Sequence, residues 1–461
     1  MKRLFFLILF VPLFLSAETR LPQFFSNGMV MQQNTEVSIW GTDKPGAVIR
    51  IAASWSQAAE VKADQTGKWK LKIATPKAGG PYNITVTGSS KILLNDVLIG
   101  EVWFCSGQSN MEMPLKGRVN EPTGGSNELI LNSEDSGIRV FTVAKKASAF
   151  PLDDVKGKWL SASPENSGDF SAVAYLYGKK LRNVLKVPIG LIVSSWGGSP
   201  IESWMDKQNL AAFPDFSSHK SVDEKLAHRT PSLLYNGMVQ PVAGYAIRGV
   251  IWYQGENNVV DGLSYKNYLS SMINSWRKNW DQGEFPFYFV QIAPYDYGKN
   301  ASGFLRDAQL KVMKEIGNTG MAVTLDLGMC KLIHPPQKKE VADRLAYWAL
   351  AKDYGVKGIA YSGPVFNSIY RIDSNRVNIK FDHAGNGMYL SNAESSGFEI
   401  AGSDRIFYPA KAVVKKNTGL IVWSDQVAKP VAVRYAYGNC AQATLFNTAG
   451  LPASTFKTDD W

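Results

Sequence analysis

Cysteine and histidine are the scarce residues of this 461-residue chain, three of one and four of the other. Cys105, Cys330 and Cys440 are an odd number set far apart, so at most one disulfide is possible, and a chain this long needs none to hold its core. There is no C-x-x-C pair, H-E-x-x-H helix, P-loop or G-x-G-x-x-G turn. Zinc hydrolases and nucleotide-binding enzymes therefore leave the field, and neither a cofactor nor a metal is expected. Charge of one sign is not concentrated either: 50 Lys and Arg against 40 Asp and Glu give +10, scattered along the chain. A phosphate-binding face needs clustered charge, so nucleic acid is not an expected partner. After the first residues no run is long and apolar enough to cross a membrane. What remains is 45% hydrophobic and 20% charged, which excludes a disordered or collagen-like chain, and the length suits roughly three domains of about 150 residues each.

The first residues read as an address. Lys2 and Arg3 precede an apolar run over residues 4–15, and Ser16 and Ala17 offer a small-residue cleavage point before Glu18. That is the layout of a secretory signal peptide, so residues 1–17 are expected to be removed and the protein exported, periplasmic or secreted. Over residues 18–95 short alternating runs and turns predict a β-sandwich accessory domain. In residues 68–73 charged and apolar residues alternate strictly, placing Trp69, Leu71 and Ile73 on one face of a strand. From Asp96 the pattern changes. Continuous apolar runs at 97–104, 189–193, 247–253, 287–292 and 321–325 read as buried parallel strands. Between them, stretches such as 172–186, with Asp169 or Ser171 as N-cap, 265–280, 304–316 and 338–354 carry helical stripes. This predicts an α/β catalytic domain over residues 96–358, three layers around a parallel sheet, followed by a β-rich region over 359–461.

In an open parallel sheet, sites form beyond the carboxyl ends of the strands. Four polar loops fall there: Cys105 to Met111 with Ser109, Ser194 to Ser199 with Gly197 and Gly198, Gln254 to Asn258, and Asp326 to Pro335 with His334. The chemistry they invite is acyl transfer, in which a serine hydroxyl needs a neutral imidazole to take its proton. Of the four histidines, His219 and His228 lie in a polar connecting stretch and His383 outside the α/β domain. His334 alone follows a core strand. Gly107, Gly197 and Gly198 permit close backbone approach to an oxyanion, and Gln254, if it points inward, adds an amide donor. Glu256 and Glu202 support a rival glycosidase reading, which lacks a regular eight-fold strand–helix count. No G-x-S-x-G is present, which argues against a nucleophile-elbow hydrolase.

At these motifs the chain resembles the sialate O-acetylesterase family, a branch of the SGNH hydrolases. The resemblance is carried by Gly107-Gln108-Ser109-Asn110-Met111-Glu112-Met113-Pro114, by Trp196 to Trp204, by Trp252-Tyr253-Gln254-Gly255-Glu256, and by Asp326-Leu327-Gly328 with Ile333-His334-Pro335. It implies a metal-independent esterase that hydrolyses O-acetyl groups, of sialic acids in the first place, through an acetyl-serine intermediate. Ser109 would be the nucleophile, His334 the base, and the Ser109 amide, Gly197 or Gly198, and Gln254 the oxyanion donors. Acetyl-xylan or another acetylated glycan is the alternative substrate, and a non-catalytic glycan-binding protein with Trp196, Trp204 and Trp252 as sugar platforms the alternative class. One departure stands out. Many SGNH relatives carry an aspartate three residues before the histidine, where this chain has Lys331. Asp326, leaving the strand that leads into His334, is the expected replacement acid, and Glu256 the second candidate.

Overall fold

The computed structural model describes residues 18–213, 224–299, 301–392, 396–415 and 419–461. The expected signal peptide, at residues 1–17, and His219 lie outside them.

The organising element is a 17-residue strand, β1 (Lys91–Gly107), buried without a break from Val97 to its end. Around it run β2 (Asp135–Thr142), β3 (Trp159–Ala162), β4 (Ile189–Ser195), β5 (Gly249–Tyr253), β6 (Phe287–Val290) and β7 (Thr319–Ala322) in the spatial order β7-β6-β5-β1-β4-β2-β3. All neighbours are parallel except β2 and β3. Strands buried on both sides should be apolar throughout, and the side chains sort accordingly. Trp103 and Cys105 of β1 join one core cluster with helices α2 (Ala172–Leu185) and α5 (Lys338–Lys352). Val102 and Phe104 join another with α3 (Tyr265–Trp280) and α4 (Ser302–Glu315). Ser171 caps α2 by accepting from the Ala174 amide at 3.2 Å. Strand β2 escapes the apolar-run criterion because Arg139 sits in its middle. That buried guanidinium is held by the Asp96 carbonyl at 2.7 Å and the Asp96 carboxylate at 2.9 Å.

Short strands from the N-terminal region pair with the first half of β1, Gly79–Thr87 antiparallel and Val30–Gln32 parallel. One strand thus runs through residue 96, the expected boundary, so the two regions share a ladder. Trp69 and Ile73 are buried and Leu71 half-buried, as their alternation predicts. The C-terminal region forms a seven-stranded antiparallel sheet. It is fastened to the central domain by the fully buried Arg306 of α4, which donates to Ala436 O, Gly438 O and Thr455 Oγ1. A Cys330–Cys440 disulfide adds a second fastening on the loop that leads to His334. Cys105 is free and buried. Among the described residues no helix is long and apolar enough to cross a membrane.

Candidate active site

Strand register brings the polar loops to one edge. Gly107 at the end of β1 lies opposite Ser195 of β4 on one side and Tyr253 of β5 on the other. Its φ is +139°, and a Cβ there would fall 2.1 Å from Tyr253 O, so a side chain is excluded. The chain then turns into α1 (Ser109–Glu112), a single turn whose first amides have no intrahelical acceptor. Ser109 begins this turn, nearly buried at 9% exposure, at the floor of a cleft of about 470 Å³. Gln108, Glu112, Lys145, Trp196, Gly197, Gly198, Asn257 and His334 are among the residues that line it.

Ser109 Oγ lies 2.8 Å from His334 Nε2, and His334 Nδ1 lies 2.6 Å from Glu121 Oε1. Hydroxyl, imidazole and carboxylate thus form one chain. Glu121 belongs to a tight hairpin in which Arg118 and Glu121 exchange backbone hydrogen bonds at 2.8 and 3.0 Å. Gly117 and Asn120 adopt positive φ to close it. The hairpin is tied to the histidine segment by the Gly124 amide, which donates to Pro336 O at 2.8 Å.

The expected Asp326 is not the carboxylate at the ring. Both its oxygens accept from Arg344 of α5 at 2.6 Å, and that guanidinium also donates to Val323 O, so Asp326 joins the end of the sheet to a helix. Glu256 does not reach the ring either. It accepts from Asn110 Nδ2 at 2.6 Å, is 8% exposed, and burial raises its carboxyl above the usual range. Lys331 is exposed on the disulfide-bridged loop.

Of the expected oxyanion donors, Gly198 has φ +72° and lines the cleft, and its amide has no partner among the described residues. The Gly197 amide is occupied: it donates to Glu112 Oε2 at 2.5 Å. Burial raises the Glu112 carboxyl, but bonds from Lys145 and Gly197 and the charge of Arg118 outweigh it and leave it below its ordinary value. Gln254 points away from the cleft. Its amide donates to Asn258 Oδ1 at 2.7 Å and Gln108 Oε1 at 3.1 Å while its carbonyl accepts from Tyr265, so it braces the 254–258 turn. Asn257 faces the cleft in its stead. Glu202 is buried and bonded by Asn258, away from the cleft lining. Trp204 and Trp252 are fully buried in edge-to-face contact, whereas Trp196 lines the cleft, stacked on His228. Burial, with Arg229 and Lys145 beside it, lowers the His228 imidazole from its usual value.

Three comparisons bear on this site. A family model described as carbohydrate esterase, sialic acid-specific acetylesterase, matches residues 99–342, the span that contains Ser109, Glu121, Gly198 and His334. Sialate O-acetylesterase from Homo sapiens is 32% identical over 390 residues, 75% of this chain and 73% of that protein. The Mus musculus protein of the same name is 29% identical over 513 residues, 95% of this chain and 94% of that one. Among solved structures, a carbohydrate acetylesterase from Xanthomonas citri aligns with a TM-score of 0.88 at 36% identity, over 96% of this chain and 100% of that chain.

Proposed function

The chain belongs to the sialic acid-specific carbohydrate esterase family and is an O-acetyl ester hydrolase of sialic acids or related glycans; we propose that it works through an acetyl-Ser109 intermediate. The observation that carries this mechanism is the Ser109–His334–Glu121 chain of contacts. His334 Nε2 takes the hydroxyl proton as Oγ attacks the acetyl carbonyl carbon. The resulting oxyanion lies against the Ser109 and Gly198 amides, with the Asn257 side chain as a third donor. Glu121 fixes the ring tautomer and supports the imidazolium, which hands its proton to the departing sugar oxygen. Water, deprotonated by the same nitrogen, then attacks the acetyl-enzyme, and collapse returns Ser109 and releases acetate.

The three-layer SGNH reading of residues 96–358 is supported by the two core clusters on opposite faces of one parallel sheet. On this reading the N-terminal strands and the C-terminal sheet are accessory regions. Export is supported by the Cys330–Cys440 disulfide, a bond that persists in oxidising compartments.

The test is acetate release from O-acetylated sialic acid, acetylated xylan and an aryl acetate. Ser109→Ala is expected to abolish release from every ester the parent cleaves, with an unchanged circular dichroism spectrum. Retained turnover in that variant refutes the mechanism, and equal activity on xylan acetate removes the preference for sialic acid.

A further inference from the structure

Lysine is almost never fully buried unless a partner holds it. Lys338 is 1% exposed, yet among the described residues its Nζ bonds no carboxylate: it donates to Asn110 Oδ1 at 2.5 Å. The other end of that carboxamide donates to Glu256 Oε1 at 2.6 Å and to Ile333 O at 3.1 Å. The amide dipole therefore stands between a cation at its oxygen and an anion at its nitrogen, an orientation that a flipped side chain would reverse. Each contact lands beside the reacting groups. Asn110 follows Ser109 in the chain, Ile333 precedes His334, and Glu256 lines the cleft.

Helix stability does not account for a lysine here. Lys338 is the first residue of α5, where the helix dipole disfavours a cation. Burial brings its ammonium down to about 7, against the pull of Glu256 and Glu121, so the position bears a cost that a neutral residue would not. The single turn α1 is too short to hold itself in place, and α5 packs through its length into the core with α2.

We propose that Lys338 is a positioning residue of the esterase: acting through the Asn110 carboxamide and paired with Glu256, it locks the turn that carries Ser109 to the loop that carries His334. This rests on the Ser109 mechanism above. Removing the ammonium takes from buried Glu256 one of the two positive groups that favour its charge, the other being His334, and leaves Asn110 free to rotate, so the Ile333 tie is lost and the Ser109–His334 contact loosens. Removing both charges restores neutrality to the pocket.

The experiment measures kcat and KM on an aryl acetate for the parent, Ser109→Ala, Lys338→Met, Glu256→Gln and the Lys338→Met/Glu256→Gln double variant. Each single charge deletion is expected to lower kcat by about tenfold or more with little change in KM, and the double variant to exceed at least one single variant. A loss in kcat at parent KM and parent Tm is what a merely structural contact would not produce, and the coupling ties that loss to the charge pair. If Lys338→Met does not fold, a double variant that folds and turns over faster than Glu256→Gln upholds the proposal, and one no faster overturns it. Parent-like kcat in Lys338→Met, or additive losses in the double variant, overturns the proposal while a dead Ser109→Ala leaves the mechanism standing. An active Ser109→Ala overturns the mechanism itself.

Discussion

Glu121→Gln separates the two ways in which the histidine of this enzyme can be supported. The carboxylate meets His334 Nδ1 at 2.6 Å with the glutamate side chain 27% exposed, so the bond is charge-assisted but not sealed from water. A hydrogen bond to a charged group contributes about 1.5–3 kcal/mol, which at roughly 1.4 kcal/mol per decade corresponds to about 10- to 150-fold in rate if orientation alone is lost. The amide also presents an N–H to Nδ1 and thereby favours the tautomer that leaves Nε2 protonated and unable to act as base. In a serine triad the analogous change costs about 10⁴ in kcat. Partial solvent access lets water replace some of the lost support, so the expected loss is about 10²–10⁴ in kcat. The assay is steady-state aryl acetate hydrolysis, with KM expected near the parent value and thermal unfolding confirming the fold. A Glu121→Gln enzyme within about threefold of the parent kcat would refute the reasoning and leave Ser109 and His334 as a dyad.

Asp326→Asn should do the reverse: turnover near the parent's, with unfolding free energy lowered by about 1–3 kcal/mol because the bidentate Arg344 pair is broken, measurable by urea denaturation. A severe loss of kcat at parent stability would return the acid role to Asp326. Gly198→Ala forces a Cβ into a backbone held at φ +72° and brings a methyl within 3.6 Å of His228 Nε2, so kcat should fall about 10- to 100-fold as the amide shifts from the oxyanion. Parent-like kcat there would remove Gly198 from the hole. Glu112, whose pKa lies below its usual 4.5 in the folded protein, contributes stability that is fully present above that value and is lost as pH falls through the depressed one. The Tm difference between the parent and Glu112→Gln should therefore narrow on acidification below about 4.5, and a difference that stays constant down to pH 3 would contradict it.

Much of the scaffold was legible because parallel strands buried on both faces need apolar runs, and each run at 97–104, 189–193 and 247–253 ends in a conspicuous polar loop. Strand β2 was not, since a buried arginine satisfied by Asp96 looks like a surface residue until its partner is known. The same limit applies to Gln254. Its place after a core strand suggested a cleft donor, but direction depends on what surrounds it, and Asn258, Gln108 and Tyr265 take up its carboxamide. Glu112 and Lys338 escaped notice for a related reason. A glutamate near the end of a short motif and a lysine at the start of a helix are ordinary surface positions, and only the folded chain places Gly197 and Asn110 against them.

A carboxylate that meets the histidine from a distant hairpin, and not from the histidine's own loop, changes what the site depends on. An aspartate three residues before the histidine would come with the same loop; Glu121 is 213 residues away in sequence and must be delivered by tertiary contacts. Those contacts include the Gly124 to Pro336 bond and the Arg118 to Glu112 ion pair, and left-handed Gly117 and Asn120 close the hairpin itself. Lys331, where the local aspartate would stand, instead occupies an exposed loop beside Cys330, whose disulfide fastens that loop to a turn of the C-terminal region. With its local carboxylate gone, the loop needs no precise fit between residue 331 and the ring, but it does need its path fixed from outside. The disulfide, the Ile333 tie to Asn110 and the hairpin supply that from three directions. The C-terminal region thereby becomes part of what sets the histidine in place, although none of its described residues lines the cleft.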